Sequence, residues 1–539
     1  MSSSLAALLL LGAFLLPNEV TGLTPETFVR IPVEALLGVA TLLILPSRVR
    51  RVVAALAGLG VGLLTVLNLL DMGFHSTLDR PFDLAVDWVL LDDAKSFAGD
   101  TVGDVGALAA VIGTLVLVVV LIILMTLAAL RLSQVVARHS AAATHSVIVL
   151  GTVWITTSAL GAQIADVPVA SRSMVDLVRD HTGLVRAGLA DERAFAEETA
   201  DDAFRDTTPE QLLTGLRGKK VIFAFIESYG RSALEDPEIA PEVGEVLANG
   251  TSRLRKAGFS SRSGFLTSPV AGAGSWLAHS TFLSGTWVNT QQRYDRITSS
   301  DRLTLTGAFQ RTGAWQTVGI MPGVTQSWPE GEFFGLDHIY DSRQLGYEGP
   351  KFGWSPVPDQ YSLAAMERIE QEGYEKPLMT EIVLTSSHSP WAPVPKMIGW
   401  DKIGDGTVYN SIKEAGKRPA DVWKDAAKVR TEYGRAIAYS VSSLISYVEE
   451  YADKDTVLVL LGDHQPNSTV TGPHPSHDVP ISIVTDDPAV LDRISSWDWQ
   501  DGLRPGPTAP VWRMDTFRDR FLTAYGPRPE AAPTSKETR

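Results

Sequence analysis

The sequence predicts a two-part chain of α/β class: an N-terminal bundle of about five transmembrane helices, then an extracytoplasmic α/β domain. Three observations carry this. Five apolar stretches crowd into the first 165 of 539 residues. From Lys219 onward, short apolar runs alternate with amphipathic stretches, the pattern of a largely parallel sheet covered by helices. Several of those runs end in polar or ionisable residues, as in Thr456-Val-Leu-Val-Leu-Leu-Gly-Asp463-His464. A chain this long exceeds one hydrophobic core, so separate domains are expected.

The apolar stretches fall near 5–21, 31–46, 52–71, 106–130 and 145–165, each roughly long enough to cross a ~30 Å hydrocarbon layer. The fourth, Gly106 to Leu130, carries no charge. The first lacks a basic leading segment and a small-x-small cleavage pattern, and reads as a retained helix rather than a signal peptide. Arg48, Arg50 and Arg51 lie between the second and third stretches, and Arg131 and Arg138 between the fourth and fifth. Basic loops stay in the cytoplasm, so the acidic loop from Asp71 to Asp104 and the later domain are expected outside a plasma membrane. Residues 1–165 thus form the membrane part.

Residues 166–218 are polar, with helical spacing at Met174, Leu177, Leu184, Leu189 and Phe195, and read as a juxtamembrane helical linker. The α/β domain is expected over 219–525 and a disordered tail over 526–539. Strands are predicted at Val221–Ile226, Thr317–Met321, Met379–Leu384, Thr456–Leu461 and Val479–Val484. Helices are predicted at Pro241–Lys256, Ser275–Ser284, Leu303–Thr312, Gln360–Glu372 and Trp423–Tyr451.

A net charge of −15 argues against a nucleic-acid partner, which requires a basic face. With no cysteine, any metal must be held by oxygen and nitrogen. In parallel sheets sites form beyond the carboxyl ends of strands, and three features lie there. Glu227 follows the first strand, where an acid either caps the next helix or binds something. Gly272-Ala-Gly274-Ser275 opens a helix, where amide groups favour negative charge, and His279 shares the face of Ser275; an ordinary serine cap is the alternative. His388 follows the strand ending at Leu384, and His474 and His477 follow Asp463-His464, so four of ten histidines sit in two strand-end segments.

With these residues assembled, Val221 to Thr485 resembles the sulfatase-like branch of the alkaline phosphatase superfamily. The plan of five spans before an external domain looks like lipoteichoic acid synthase and the lipid A phosphoethanolamine transferases. The resemblance rests on an acid after the first strand in Phe225-Ile-Glu227-Ser, on Ser275 ten residues before Gly285 in Leu283-Ser-Gly, on His388 in Ser387-His-Ser-Pro390, and on Asp463-His464. Departures are a single Glu227 where sulfatases carry paired aspartates, no cysteine to mature to formylglycine, and serine where the synthases use threonine.

The resemblance implies one divalent metal, Mn²⁺ or Zn²⁺ with Mg²⁺ as a further option, held by Glu227, Ser275, Asp463 and His464. It implies a covalent Ser275 intermediate, with His388 and His279 binding phosphoryl oxygens or protonating the leaving group, and His477 as a further substrate contact. Thr267, Ser268 and Ser280 are the alternative nucleophiles of that region. The substrate is expected to be a lipid-linked or envelope-polymer phosphoester, with phosphoglycerol- or phosphoethanolamine-type transfer or hydrolysis. A sulfatase with serine-derived formylglycine, or a non-catalytic envelope-binding protein, are the alternative readings.

Overall fold

The computed structural model describes residues 2–78, 80–84, 87–88, 104–325, 328–371, 373–472 and 474–527. Most of the acidic loop expected outside the membrane, and residues 528–539 of the expected tail, lie outside the described residues. The chain forms two compact units, Met1–Asp191 and Glu192–Arg539.

The first unit is helical: α1 (Ser3–Leu15), α2 (Val33–Ile44), α3 (Ser47–Leu78), α4 (Asp104–Arg138), α5 (Ser140–Leu160) and the start of α6 (Ser173–Ala200). Among the described residues, three segments, Ser47–Ser76, Val105–Arg138 and Ser140–Leu160, are long and apolar enough to cross a membrane. The first two expected spans are shorter than the sequence suggests, at 13 and 12 residues. At 1.5 Å per residue they reach about 20 Å. The reason is proline: Leu16 and Leu45 turn extended ahead of Pro17 and Pro46, which disfavour helix at the preceding residue. Helices α3 and α4 pack through small residues. A Cβ on Gly58 would meet the Thr126 Cα at 2.6 Å, and one on Gly62 the Ile122 Cα at 2.9 Å. Some polar groups pair inside the unit, with Asn68 donating to the Leu16 and Pro17 carbonyls and His181 lying 2.9 Å from Asp71.

The second unit begins earlier than the expected boundary at residue 219. Phe195, Leu212, Leu213 and Leu216 are buried in its core, and Asp202 pairs with the fully buried Arg518 at 2.7 Å. This packing makes the second half of the expected linker part of the domain.

Among the described residues its sheet has nine strands: β1 (Lys220–Ile226), β2 (Ser260–Thr267), β3 (Gln316–Met321), β4 (His338–Asp341), β5 (Leu378–Leu384), β6 (Thr456–Gly462), β7 (Asp478–Thr485), β8 (Gln500–Asp501) and β9 (Val511–Arg513). The order is β8-β2-β7-β6-β1-β5-β3-β4, with β9 also on β2. β6, β1, β5, β3 and β4 run parallel, whereas β7 is antiparallel to both β6 and β2. The sheet is therefore mixed, with its parallel part at the centre.

The central strands are buried on both faces, which explains their near-continuous apolar runs. Ile222, Ala224 and Ile226 face one core, built with α7 (Ala240–Lys256), α10 (Asp359–Gln371) and α11 (Ala426–Tyr451). Val221, Phe223 and Phe225 face the other, built with α8 (Ser275–Ser284) and α9 (Leu305–Thr312). The carboxyl ends of β1, β5 and β6 thus open side by side at the mouth of the sheet.

Candidate active site

Parallel register brings three strand ends together. Gly462 of β6 lies opposite Ile226 of β1, which lies opposite Leu384 of β5, so Asp463, Glu227 and Thr385 emerge as neighbours. The turn after β1 is tight: Ser228 adopts φ 56°, its amide donates to Asp463 Oδ1 at 2.8 Å, and its carbonyl accepts from the Tyr433 hydroxyl. Gly462 is required there, because a Cβ would lie 1.8 Å from the Tyr229 carbonyl oxygen.

Helix α8 delivers Ser275. Its cap is Gly274, at φ 90° with no side chain to cap, and Ser275 is the first helical residue. The serine is therefore not the cap, and its hydroxyl is free to point elsewhere. It donates to Glu227 Oε2 at 2.9 Å and lies 3.1 Å from His464 Nε2. The other hydroxyls are engaged away from this point: Thr267 donates to Asp478, Ser268 accepts from the Val270 amide, and Ser280 donates to the Trp276 carbonyl.

Glu227, Asp463 and His464 are all buried, with one ligand atom from each within 4.8 Å of the others. His464 Nδ1 donates to the Gln465 carbonyl at 2.7 Å, which turns Nε2 toward Ser275 and Glu227 Oε1, the latter 3.3 Å away. Asp463 Oδ1 accepts from the amides of Ser228 and His464, while Oδ2 is buried and accepts no hydrogen bond among the described residues. An orphaned carboxylate oxygen beside a second carboxylate, an imidazole and a hydroxyl fits a divalent cation of the Mn²⁺, Zn²⁺ or Mg²⁺ kind. Burial works against charge on Glu227, yet the His464 ring, then His388 and the Ser275 hydroxyl, hold this carboxyl well below its usual range. Burial likewise opposes charge on His464, but Asp463, Glu227 and the Gln465 carbonyl outweigh it and raise the imidazole to about 9.

Two more expected residues flank this centre. His279, one turn along α8, packs its ring against Phe225 at 4.2 Å with a 39° tilt, and its Nε2 lies 3.7 Å from Asp463 Oδ2. His388 stacks on Trp354 at 4.1 Å, and its Nδ1 donates to the Ser389 carbonyl at 2.6 Å, with no hydrogen bond to Nε2 among the described residues. The neighbouring Ser387 hydroxyl donates to the Glu227 carbonyl, which ties this turn to the end of β1. His477 is different: its Nδ1 lies 3.2 Å from the Ser268 carbonyl, and it makes no hydrogen bond or ion pair with the cluster.

Sequence reasoning missed Trp354, which sits in a loop with no periodicity to mark it. It also missed Asp359, which accepts from the Ser386 amide and the Ser440 hydroxyl and so steadies the turn before His388; burial raises this carboxyl to about 6. A third omission is Glu381, an acid inside the apolar run of β5, buried and raised to about 7 by burial, with His279 opposing. Its break in the strand pattern was a readable signal.

No family profile and no curated protein matches the chain. Among solved structures, it is similar to the lipoteichoic acid synthase LtaP of Listeria monocytogenes, at 17% identity over 59% of this chain and 74% of that one, with a TM-score of 0.39. It is also similar to the periplasmic domain of EcEptC from Escherichia coli in complex with Zn, at 13% identity, 58% and 84% coverage and TM-score 0.38. A third likeness is to the phosphoglycerol transferase GacH of Streptococcus pyogenes with sn-glycerol-1-phosphate, at 12% identity, 62% and 91% coverage and TM-score 0.36. These proteins are of the kind the sequence resembles, and at such identities and scores the likeness carries no conclusion about activity.

Proposed function

We propose that the chain is a membrane-anchored, metal-dependent phosphotransferase that moves a phosphoester headgroup through a covalent intermediate on Ser275. The observation that supports this reading most is the convergence of the Ser275 hydroxyl on Glu227 and His464, with the orphaned Asp463 Oδ2 beside them. Glu227, Ser275, Asp463 and His464 would hold one divalent ion. Bound there, such an ion neutralises phosphoryl charge and makes a nearby hydroxyl more acidic.

The rest is the work of side chains. Ser275 Oγ attacks phosphorus, its proton leaving to solvent water, while Glu227 Oε2, which accepts the hydroxyl hydrogen in the resting site, keeps Oγ oriented. The P–O bond to the leaving alcohol breaks, and His388, held through Nδ1, returns a proton to that oxygen from Nε2. His279 binds a non-bridging oxygen on the Asp463 side. An acceptor hydroxyl, or water, then attacks the phosphoserine and frees Ser275. The three long apolar helices suit a lipid-linked or envelope-polymer substrate held at a membrane surface, and the basic residues Arg48, Arg50, Arg51, Arg131 and Arg138 favour an extracytoplasmic domain.

The test is turnover of bis(p-nitrophenyl) phosphate by the full chain with Mn²⁺ or Zn²⁺ added, together with mass analysis of the Ser275 peptide after rapid acid quenching. Phosphoryl adduct on that peptide is expected. A chain that turns over with the adduct elsewhere, or that never turns over with either metal, defeats the reading.

A further inference from the structure

Gln465, the residue after the Asp463-His464 pair, is 2% exposed and is hydrogen-bonded at both its backbone and its side chain. Its backbone carbonyl accepts from His464 Nδ1 at 2.7 Å and from the Gly272 amide at 2.8 Å. Its side-chain Oε1 accepts from the Ser232 hydroxyl at 2.8 Å and from the Ser232 amide at 3.3 Å. Three segments far apart in sequence therefore meet at one residue: the end of β6, the loop before Ser275, and the short helix Ser232–Glu235 that follows β1.

The two bonds to the carbonyl act on different parts of the site. His464 is held by Nδ1, so the direction of this oxygen decides where Nε2 points, and Nε2 lies 3.1 Å from Ser275 Oγ. Gly272 belongs to the loop that runs into α8, and its neighbour Ala271 pairs with Gln465 as an isolated parallel bridge. The same oxygen thus fixes where that loop hands over to Ser275. What aims the carbonyl is local. Pro466 follows, and a residue before proline is held out of the helical region, which restricts the direction of the Gln465 carbonyl. The side chain restrains the residue from the other end, and Gly230 leaves room for it, since a Cβ there would lie 1.9 Å from Gln465 Oε1. An apolar side chain at 465 could fill the space, but the Ser232 hydroxyl and amide would lose their acceptor.

We propose that Gln465 is a positioning residue: anchored at Ser232 through its side chain, it aims one carbonyl oxygen that sets both the imidazole of His464 and the loop delivering Ser275. A metal ligand and an attacking hydroxyl on separate elements must stay aligned to within about 0.5 Å, and a shared anchor does this for both at once. The inference deepens the phosphoester reading above and rests on it for the reaction that the alignment serves.

The experiment compares the full chain with Gln465→Met, Gln465→Glu, Ser232→Ala and the Ser232→Ala/Gln465→Met double variant. Methionine matches the length of glutamine without the acceptor, and glutamate keeps an oxygen for Ser232. Three quantities are read: the Kd for Mn²⁺ by calorimetry, kcat and KM for bis(p-nitrophenyl) phosphate, and the thermal midpoint. Gln465→Met is expected to weaken Mn²⁺ binding and lower kcat about tenfold each, with KM unchanged. Gln465→Glu recovers most of both losses. Ser232→Ala, which leaves the amide in place, gives a smaller loss of the same kind, and the double variant is no worse than Gln465→Met alone. A Gln465→Met chain with a lower midpoint but the parent's Mn²⁺ affinity and kcat would show that Gln465 only stabilises the fold, and would overturn the proposal. Failure of Gln465→Glu to restore either quantity, or losses that multiply in the double variant, would overturn it too. A parent that binds Mn²⁺ but never turns over the diester defeats the reaction above, and the Mn²⁺ affinities then decide Gln465. A parent that binds no Mn²⁺ overturns the inference as well. Should Gln465→Met not fold, Ser232→Ala decides: the parent's Mn²⁺ affinity and kcat in that variant would overturn the proposal.

Discussion

Ser275 Oγ and Glu227 Oε2 stand 2.9 Å apart although 48 residues separate them in sequence. One comes from the first turn of α8 and the other from the end of β1, so the contact exists only because helix and strand end at the same mouth. Gly274, at φ 90°, makes it possible by ending the loop one residue early and leaving the serine hydroxyl uncommitted to capping.

Ser275→Ala should abolish turnover, by about 10⁴-fold or more if the serine is the attacking group. The thermal midpoint should move little, since the removed hydroxyl sits at a half-buried cleft rather than in the core. Ser275→Thr keeps the hydroxyl and should retain measurable rate. Turnover by the alanine variant at the parent rate would remove Ser275 from the mechanism.

Gly462→Ala tests the backbone crossing that sets up the cluster. The added Cβ would lie 1.8 Å from the Tyr229 carbonyl oxygen, which is backbone and cannot swing aside. The strand ends must separate, at about 1–3 kcal/mol of stability, and Glu227 should part from Asp463. Lower metal content together with a lower midpoint is expected. A variant with the parent's metal content would show that the turn has slack.

How far all this was legible in the sequence depends on the element. The five predicted strands appear because doubly buried strands write themselves as unbroken apolar runs, and Ser275–Ser284 is a helix with the expected ends. β2, with Ser260, Ser261, Arg262 and Ser263 in its first half, hides a buried strand behind polar residues, and β4 is only four residues long. The short helices α1 and α2 were masked by composition, since mean hydropathy does not register that a proline has stopped the turn. Of the site, Glu227, Ser275, Asp463 and His464 lie together where the ends of β1 and β6 meet the start of α8. His477 does not join them, because its ring is tied to the Ser268 carbonyl on a neighbouring edge. Trp354 meets His388 only through the fold, and nothing in local spacing announces a partner on another element; Glu381 stood out in the sequence as an acid within an apolar run, but its surroundings did not.

Metal affinity should depend steeply on pH. In the metal-free cluster Asp463 and Glu227 keep His464 protonated up to about pH 9. A divalent ion that takes Nε2 must expel that proton, whereas Glu227, held low, has none to lose. Affinity should therefore rise about tenfold per pH unit from pH 6 toward 9 and level off above it. Calorimetric titration of the full chain with Mn²⁺, in buffers of differing ionisation enthalpy, reads both the affinity and the single proton released. A pH-independent affinity between 6 and 8 would show that His464 is not a ligand.

Glu381 predicts a stability profile of the opposite sense. Its folded-state value, about 7, lies above the ordinary 4.5 of an unfolded glutamate. Below pH 4.5 the acid is protonated in both states and contributes no penalty. Between 4.5 and 7 the unfolded chain ionises first, so the native state loses ground as pH rises; above 7 the full penalty applies. The gap corresponds to about 3 kcal/mol. Glu381→Gln should thus match the parent's thermal midpoint at pH 4.5 and exceed it increasingly up to pH 7, then hold a constant lead. Tryptophan fluorescence reports this on the second unit, because all the tryptophans except Trp88 and Trp154 belong to it. A variant no more stable than the parent at pH 8 would mean that the carboxyl has a compensating partner in solution, and the burial penalty assigned to Glu381 would have to be withdrawn.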